Sequence, residues 1–411
     1  MKKKLLITVG AGASVEFGMP SVLAVDKILD ARAASLFPLA ADPTSNLYAF
    51  VRDAIAAYYA KHPKPAMAKT VNFEEVLYQL NLAAPYFTDS SFLQGSNALL
   101  QPRGLPDVLG NGGASRAVDG NVLRHLSTSL LDALVDEFIA RSAVATTSKS
   151  VQINCLRTFL DDLETEFDIG IVTLNYDDMF TQARPDLFTG FDKATGAFES
   201  RAVLERGEWG FIYHLHGSIH FAMAERMSDM HGIFWEGTPK AGAAVQSTGR
   251  NVRTSMEGTG FPNATIVAGH GKTQQILRNP FRTFFAQTNR LIQDADSLLF
   301  LGYGFGDLHL NAAFSEVRDR RRPAVVVGWA PDDEDSLPFR MDVWVENLVN
   351  TLPFNVNAMA APGATTAAIV ADLKAAREFE VSNDPKYPLA VWYGGFLAAC
   401  AETRQIVSYL S

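Results

Sequence analysis

Leu5-Leu6-Ile7-Thr8-Val9-Gly10-Ala11-Gly12-Ala13-Ser14 follows a short basic start, Met1-Lys2-Lys3-Lys4, and its reading decides the fold. The apolar run stops at Gly10 after five residues, which is too short for a secretory leader core and right for a buried strand. Gly10 and Gly12 allow the backbone to turn tightly, and a helical pattern then runs from Val22 to Leu29. Strand, glycine-rich turn and helix in that order is the opening of a nucleotide-binding α/β fold.

Working outward, apolar residues fall at helical spacing from Asn46 to Tyr59 and from Asn72 to Leu82, with Asn72 placed as an N-cap and Glu75 three residues on, as in a capping box. Between about Pro85 and Gly120 the composition is that of a loop or flap, and helical periodicity resumes at Asn121–Arg141 and Val151–Glu166. A buried-strand pattern, Asp168–Leu174, runs into Asn175-Tyr176-Asp177-Asp178, and a second, Phe211–Leu215, delivers His216-Gly217-Ser218. After an irregular stretch near 222–264 come helix Phe281–Asp294, strand Ser297–Leu301, turn Gly302–Asp307, a helix to about Arg318 and strand Ala324–Val327. Alternation of this kind predicts an α/β class with a doubly wound, mostly parallel sheet. The expected organisation is a core over 1–340, with a helical insertion at about 35–150 and an irregular one at about 222–264, and a small C-terminal helical extension, 341–411.

Composition narrows the function classes. With 411 residues, 47% apolar and 20% charged, the chain is an ordinary globular protein, and roughly 150 residues per domain suggests two or three units. A net charge of -9 supplies no field to gather phosphate backbones, so direct nucleic-acid binding is not expected. The two cysteines, Cys155 and Cys400, are far apart in sequence and make neither a disulfide framework nor a four-cysteine zinc site, which fits a reducing cytoplasm. No run approaches the roughly eighteen apolar residues of a membrane span.

In a sheet of this class the ligand lies beyond the carboxyl ends of the strands, where four polar turns gather. Gly10–Ser14 would set amide groups against a pyrophosphate, although Val15 stands where a third glycine would complete G-x-G-x-x-G, leaving a plain tight turn as the alternative. Asn175 and Asp177 can orient a water or sugar hydroxyl and steady a developing cation, or simply close the strand as an Asx turn. His216, at a strand end before Gly217, suits general-base work or a structural role. His214, His216 and His220, with Asp307 and His309, also admit a metal-hydrolase reading, against which stands the phosphate-type turn at the first strand. Gly269-His270-Gly271-Lys272-Thr273 mimics the end of a Walker A motif, but the opening glycine would fall on Ile266, so Lys272 is read as a solvated or ligand-edge lysine. The basic run Arg318–Arg322 reads as a solvated helix end.

Together the turns resemble the sirtuin superfamily, the silent-information-regulator-type enzymes that consume NAD. Gly10-Ala11-Gly12-Ala13-Ser14 is similar to the family's G-A-G-x-S, Gly18-Met19-Pro20 to Gly-Ile-Pro, Thr173-Leu174-Asn175-Tyr176-Asp177 to Thr-Gln-Asn-Ile-Asp, and His216-Gly217 to the catalytic His-Gly. The chain lacks the four-cysteine zinc ribbon of protein-deacylating members, and Ser21-Val22-Leu23 replaces Asp-Phe-Arg, so no zinc and no acyl-lysine substrate is expected. It looks most like the branch of bacterial anti-phage defence, with Gly302-Tyr303-Gly304-Phe305-Gly306-Asp307 as a further shared turn. The resemblance implies a Rossmann-like core and an NAD glycohydrolase that yields nicotinamide and ADP-ribose, catalysed by Asn175, His216 and Asp177. NAD would be held by Gly10, Ala11, Gly12, Ala13, Ser14, Pro20, Thr173, Gly217, Ser218, Gly302, Tyr303, Phe305 and Asp307. It further implies a homo-oligomer acting with a partner such as a HerA-type ATPase or an Argonaute-type protein. The alternative is a non-catalytic sensor of NAD or ADP-ribose.

Overall fold

The computed structural model describes residues 2–61, 71–87, 104–110, 112–223, 232–245, 262, 264–330, 344, 347–348, 350–352 and 363–411. They fall into two compact units, one of Met1–Met19, Arg141–Gly217 and Pro280–Ser411, the other of Pro20–Ala140 and Ser218–Asn279.

The first unit is built on a seven-stranded sheet: β1 (Lys3–Val9), β2 (Phe167–Thr173), β3 (Phe211–His214), β4 (Ser297–Leu301), β5 (Ala324–Val327), β6 (Glu380–Val381) and β7 (Leu389–Trp392). The spatial order is β6-β7-β5-β4-β1-β2-β3. Every pairing is parallel except that of β6 with β7. The chain winds outward from β1 through β2 to β3, then returns to place β4 on the other side of β1, so the topological switch point lies between β1 and β4. The fold class expected from sequence, a doubly wound and mostly parallel α/β sheet, is the one observed.

Parallel strands covered on both faces need unbroken apolar runs, and Leu5, Leu6, Ile7 and Val9 of β1 are fully buried. Gly170 of β2 pairs with Phe211 of β3, whose ring occupies the space a Cβ at 170 would need, only 2.2 Å away. Register then sets the site: Leu301, Val9, Thr173 and His214 are partners in one row across β4, β1, β2 and β3. The turns that follow these four residues therefore leave the sheet at one level.

The helix Ser150–Glu166 buries Ile153, Leu156, Phe159, Leu160 and Leu163, a single face at helical spacing. The helix Phe281–Asp294 buries Phe284, Gln287, Thr288, Leu291 and Ile292. The basic run read as a solvated helix end has a more specific role. Arg320 donates to Gln293 O, and Arg322 to Ile292 O and Ala295 O, so the two guanidiniums close the C-terminus of Phe281–Asp294. The segment after about 341 contains the helices Gly363–Ala376, Phe396–Cys400 and Thr403–Leu410, and also β6 and β7, which sequence periodicity does not reveal. The two cysteines are free thiols, Cys155 half-buried and Cys400 buried, and burial pushes the Cys400 thiol up.

In the second unit the helices Val22–Leu36, Leu47–Ala60 and Phe73–Ala83 start at side-chain caps, with Asn46 accepting from Ala49 N at 2.9 Å and Asn72 from Glu74 N at 2.9 Å. Glu75 is drawn away from the capping box, accepting from Gln79 at 2.7 Å and standing 3.1 Å from His270. Lys272, read as a solvated or ligand-edge lysine, is half-buried and lies 3.3 Å from Glu74. Short ribbons pair Val108–Leu109 with Ser115–Arg116, and Phe221–Met223 with Ile233–Trp235. They bring order into the two stretches expected to be irregular, of which 88–103, 111, 224–231, 246–261 and 263 lie outside the described residues. Among the described residues no helix is long and apolar enough to cross a membrane.

Candidate active site

The first turn is shaped by close backbone packing. A Cβ at Gly10 would lie 2.7 Å from Gly302 O, one at Gly12 2.9 Å from the same oxygen, and one at Gly302 1.9 Å from Ala13 N. Gly302 also has a φ of 58°, in the left-handed region. The amides of the turn are engaged within the protein: Gly10 N donates to Leu301 O, Gly12 N to Gly302 O, Ala13 N to Gly10 O and Ser14 N to Ala11 O, all at 2.9–3.0 Å. These bonds engage four of the amides that the sequence reading set against a pyrophosphate. The turn's glycines lock the β1 and β4 turns together at the switch point, while Ala11 and Gly12 keep an exposed surface.

Asn175 emerges two residues beyond Thr173, whose hydroxyl accepts from its backbone amide at 3.1 Å. Both hydrogens of its side-chain nitrogen are placed, on Gly10 O at 3.0 Å and on Ser14 Oγ at 2.8 Å. The carbonyl Oδ1 is the part of this amide left to accept from a water or hydroxyl. Ser14 adjoins Asp177 as well, and its hydroxyl favours the ionised form of that carboxylate. Asp177 is buried and its Oδ1 accepts from Met179 N at 3.1 Å, the Asx geometry that sequence left open as an alternative. Desolvation pushes its carboxyl up to about 6, against the opposing pull of the Ser14 and Met179 hydrogen bonds.

His216 emerges from β3 at the level at which Asn175 leaves β2, because Thr173 and His214 are register partners. Its Nε2 stands 3.0 Å from Oδ2 of Asp307, and both side chains are buried. The other carboxylate oxygen of Asp307 accepts from Leu310 N at 3.1 Å and caps the helix Leu308–Ser315. Asp307, read from sequence as bordering the ligand, is thus a partner of the histidine and a helix cap. Tyr303 and Phe305 change role in the same way. Their rings are buried against Phe300, at centroid distances of 6.1 and 5.2 Å, and form core rather than ligand surface. The Tyr303 hydroxyl donates to Asn311 Oδ1 at 2.6 Å and Asn311 Nδ2 to Phe305 O at 2.6 Å, which fixes the loop that carries Asp307 across to β3.

Gly217 has a φ of 102°, which explains the glycine after His216. Pro20 and Ser218 belong to the second unit, where the Ser218 hydroxyl accepts from His220 N at 3.2 Å. His220 stacks on Trp235 at 4.6 Å with Nδ1 2.7 Å from Glu236 O. Among the described residues no group of three or more His, Cys, Asp or Glu is arranged to hold a metal ion. One neighbour escaped sequence reasoning: Phe285, with its ring 6.4 Å from that of His216. Its place in the helix Phe281–Asp294 was legible, its proximity to β3 was not.

Residues 170–348 match the family model of the SIR2-like domain, a span that includes Asn175, Asp177, His216 and the Gly302–Asp307 turn. No curated protein matches the chain. Among solved structures it is similar to a Sir2 homologue in complex with NAD, at 13% identity and a TM-score of 0.35, covering 100% of this chain and 91% of that one. It is also similar to a Sir2 homologue variant with 2'-O-acetyl ADP ribose, at 12% identity and a TM-score of 0.34, covering 100% and 94%. A third is a Sir2 homologue variant with ADP ribose, at 12% and 0.35, covering 99% and 94%.

Proposed function

We propose that this chain is an NAD glycohydrolase in which Asn175, His216 and Asp177 act at the nicotinamide ribose. The observation that carries the reading is the pairing of β2 with β3, from which Asn175 and His216 emerge in register, each tied to a carboxylate-bearing turn. The SIR2-like match over the same residues supports an NAD-related activity.

The reaction consumes one water and one NAD and gives nicotinamide, ADP-ribose and a proton. Breaking the glycosidic bond leaves a cationic, oxocarbenium-like ribose, and fixed dipoles with a nearby carboxylate stabilise it. Asn175 Oδ1 accepts a hydrogen from the attacking water and turns its lone pair toward the anomeric carbon. His216 takes the proton released from the water or from a ribose hydroxyl, and Asp307, 3.0 Å away, orients the ring and balances the charge it gains. Asp177, when ionised, faces the cationic transition state through Ser14. The exposed surface of Ala11 and Gly12 borders the dinucleotide.

In the cell the enzyme serves as an effector of anti-phage defence in the cytoplasm, as an oligomer controlled by a HerA-type or Argonaute-type partner. The test is incubation of the co-purified native assembly with NAD, reading nicotinamide and ADP-ribose. Equal release of both supports the hydrolase. NAD binding with no release under any activating condition supports a sensor instead.

A further inference from the structure

We infer that the C-terminal helix Phe396–Cys400 is a positioning element for the proposed site, with Glu16 and Phe396 as the residues that hold the Ser14 turn and the Asp177 turn in place, an inference that rests on reading that site as the catalytic one. Neither residue lies in the span 170–348 that matches the SIR2-like domain. The start of the helix is fixed to the sheet. Gly395 N donates to Gly328 O at 3.0 Å, just past β5, and the Trp392 indole at the end of β7 donates to Gly395 O at 2.8 Å. Gly395 has a φ of 88°, which favours glycine, and a Cβ there would lie 3.3 Å from the Glu16 carboxylate.

Glu16 joins this fixed point to the first turn. One of its carboxylate oxygens accepts from both Phe396 N at 2.7 Å and Leu397 N at 2.9 Å, amides that the first turn of a helix leaves without an intrahelical partner. Glu16 directly follows the helix Gly12–Val15 and stands two residues past Ser14. Ser14 is thus held from both directions along the chain, by the glycines interlocked with Gly302 before it and by a carboxylate bound to the C-terminal helix after it. Its hydroxyl accepts from Asn175 Nδ2 at 2.8 Å, so a shift of Ser14 carries with it the amide whose Oδ1 meets the attacking water.

Phe396 reaches the second turn. Its buried ring stacks on that of Phe180 at 5.9 Å and 24°, meets Phe159 edge to face at 6.0 Å and lies 6.3 Å from Phe17. Phe180 belongs to the helix Met179–Ala183, whose first amide donates to Asp177 Oδ1 at 3.1 Å, and Phe17 follows Glu16. One C-terminal side chain therefore packs against residues adjoining both turns. A displacement of about 1 Å at reacting groups can cost about 100-fold in rate, so this packing acts on turnover more than on NAD binding.

The test compares Glu16→Ala, Glu16→Gln and Phe396→Leu in the full chain by two readouts. In amide hydrogen exchange, Glu16→Ala is expected to speed exchange in residues 10–19 and 175–183 as well as at the helix start, and to leave the helix Phe281–Asp294 as it was. Phe396→Leu is expected to give the same pattern and decides the matter if Glu16→Ala does not fold. In NAD turnover by the native assembly, Glu16→Ala is expected to lower kcat by at least about tenfold with KM within about twofold, and Glu16→Gln, whose carboxamide oxygen still accepts both amides, to restore kcat to within about threefold of the wild type. The inference is overturned if exchange speeds up only in residues 396–400, if kcat stays at the wild-type value in Glu16→Ala, or if Glu16→Gln fails to rescue. A wild type that releases no nicotinamide under any activating condition overturns the hydrolase reading instead, and the exchange readout alone then decides whether the C-terminal helix positions the two turns.

Discussion

Asp177 shows how one buried group can oppose stability and serve chemistry together. Its carboxyl is held at about 6 by burial, against about 4 for an ordinary aspartate, a difference equivalent to about 3 kcal/mol. The folded state binds this proton more tightly than the unfolded one. Below about pH 4 both states are protonated and there is no penalty. As pH rises from about 4 to 6 the unfolded carboxyl ionises first, stability falls, and above about 6 the full cost remains. Asp177→Asn keeps an acceptor for Met179 N and removes the charge, so it is expected to raise the melting temperature at pH 8, with the gain vanishing at pH 4, and to lower NAD turnover. Melting curves at the two pH values decide it, and equal melting of both proteins at pH 8 contradicts the account. Asn175, His216 and Asp177 were legible as candidates because each sits directly after an apolar run that ends abruptly. The pairing of His216 with Asp307 was not, since 91 residues separate them (307 − 216) and only a loop crossing two strand ends joins them.

At the scale of elements, the turns of β1 and β4 are one interlocked unit. Gly302→Ala places a methyl 1.9 Å from Ala13 N, at a backbone atom that cannot swing aside, and is expected to cost more than about 4 kcal/mol. Gly304→Ala, in the same turn with open space around its Cβ position, is expected to stay within about 0.5 kcal/mol of the parent. Chemical denaturation of the two variants checks the pair, and a similar midpoint for both would contradict the interlock. The strands of the central sheet were readable because burial on both faces demands continuous apolar runs: Ser297–Leu301 and Ala324–Val327 agree with the observed bounds, and β1, β2 and β3 differ only at their ends. β7 carried the same signal in Leu389-Ala390-Val391-Trp392, bounded by Pro388 and Gly394-Gly395, but a four-residue run among helices is ambiguous by periodicity.

At the scale of the whole chain, the C-terminal residues complete the sheet from which the site projects. β7 lies beside β5, with Ala324 N donating to Pro388 O and Gly328 N to Trp392 O, each at 2.8 Å, and the Ser297 hydroxyl donates to Leu410 O at 2.6 Å. Deleting residues 380–411 strips β5 of a partner and exposes its edge, so the shortened chain is expected to aggregate or lose its cooperative melt. Size-exclusion chromatography and circular dichroism read the outcome, and a monodisperse truncated chain with the parent's melting temperature would contradict it. The glycine-rich opening announced the architecture, while the bonds of Gly10 N to Leu301 O and of Gly12 N to Gly302 O depend on β4 and its turn, which lie nearly 300 residues further along the chain.

The most direct measurement of the central claim is nicotinamide release from NAD by the activated native assembly carrying wild-type, Asn175→Ala or His216→Ala chains, with NAD binding followed on the same preparations. The account predicts release by the wild type and a loss of at least about 100-fold in each variant, with NAD still bound by His216→Ala. Wild-type rates of release in either variant would contradict it.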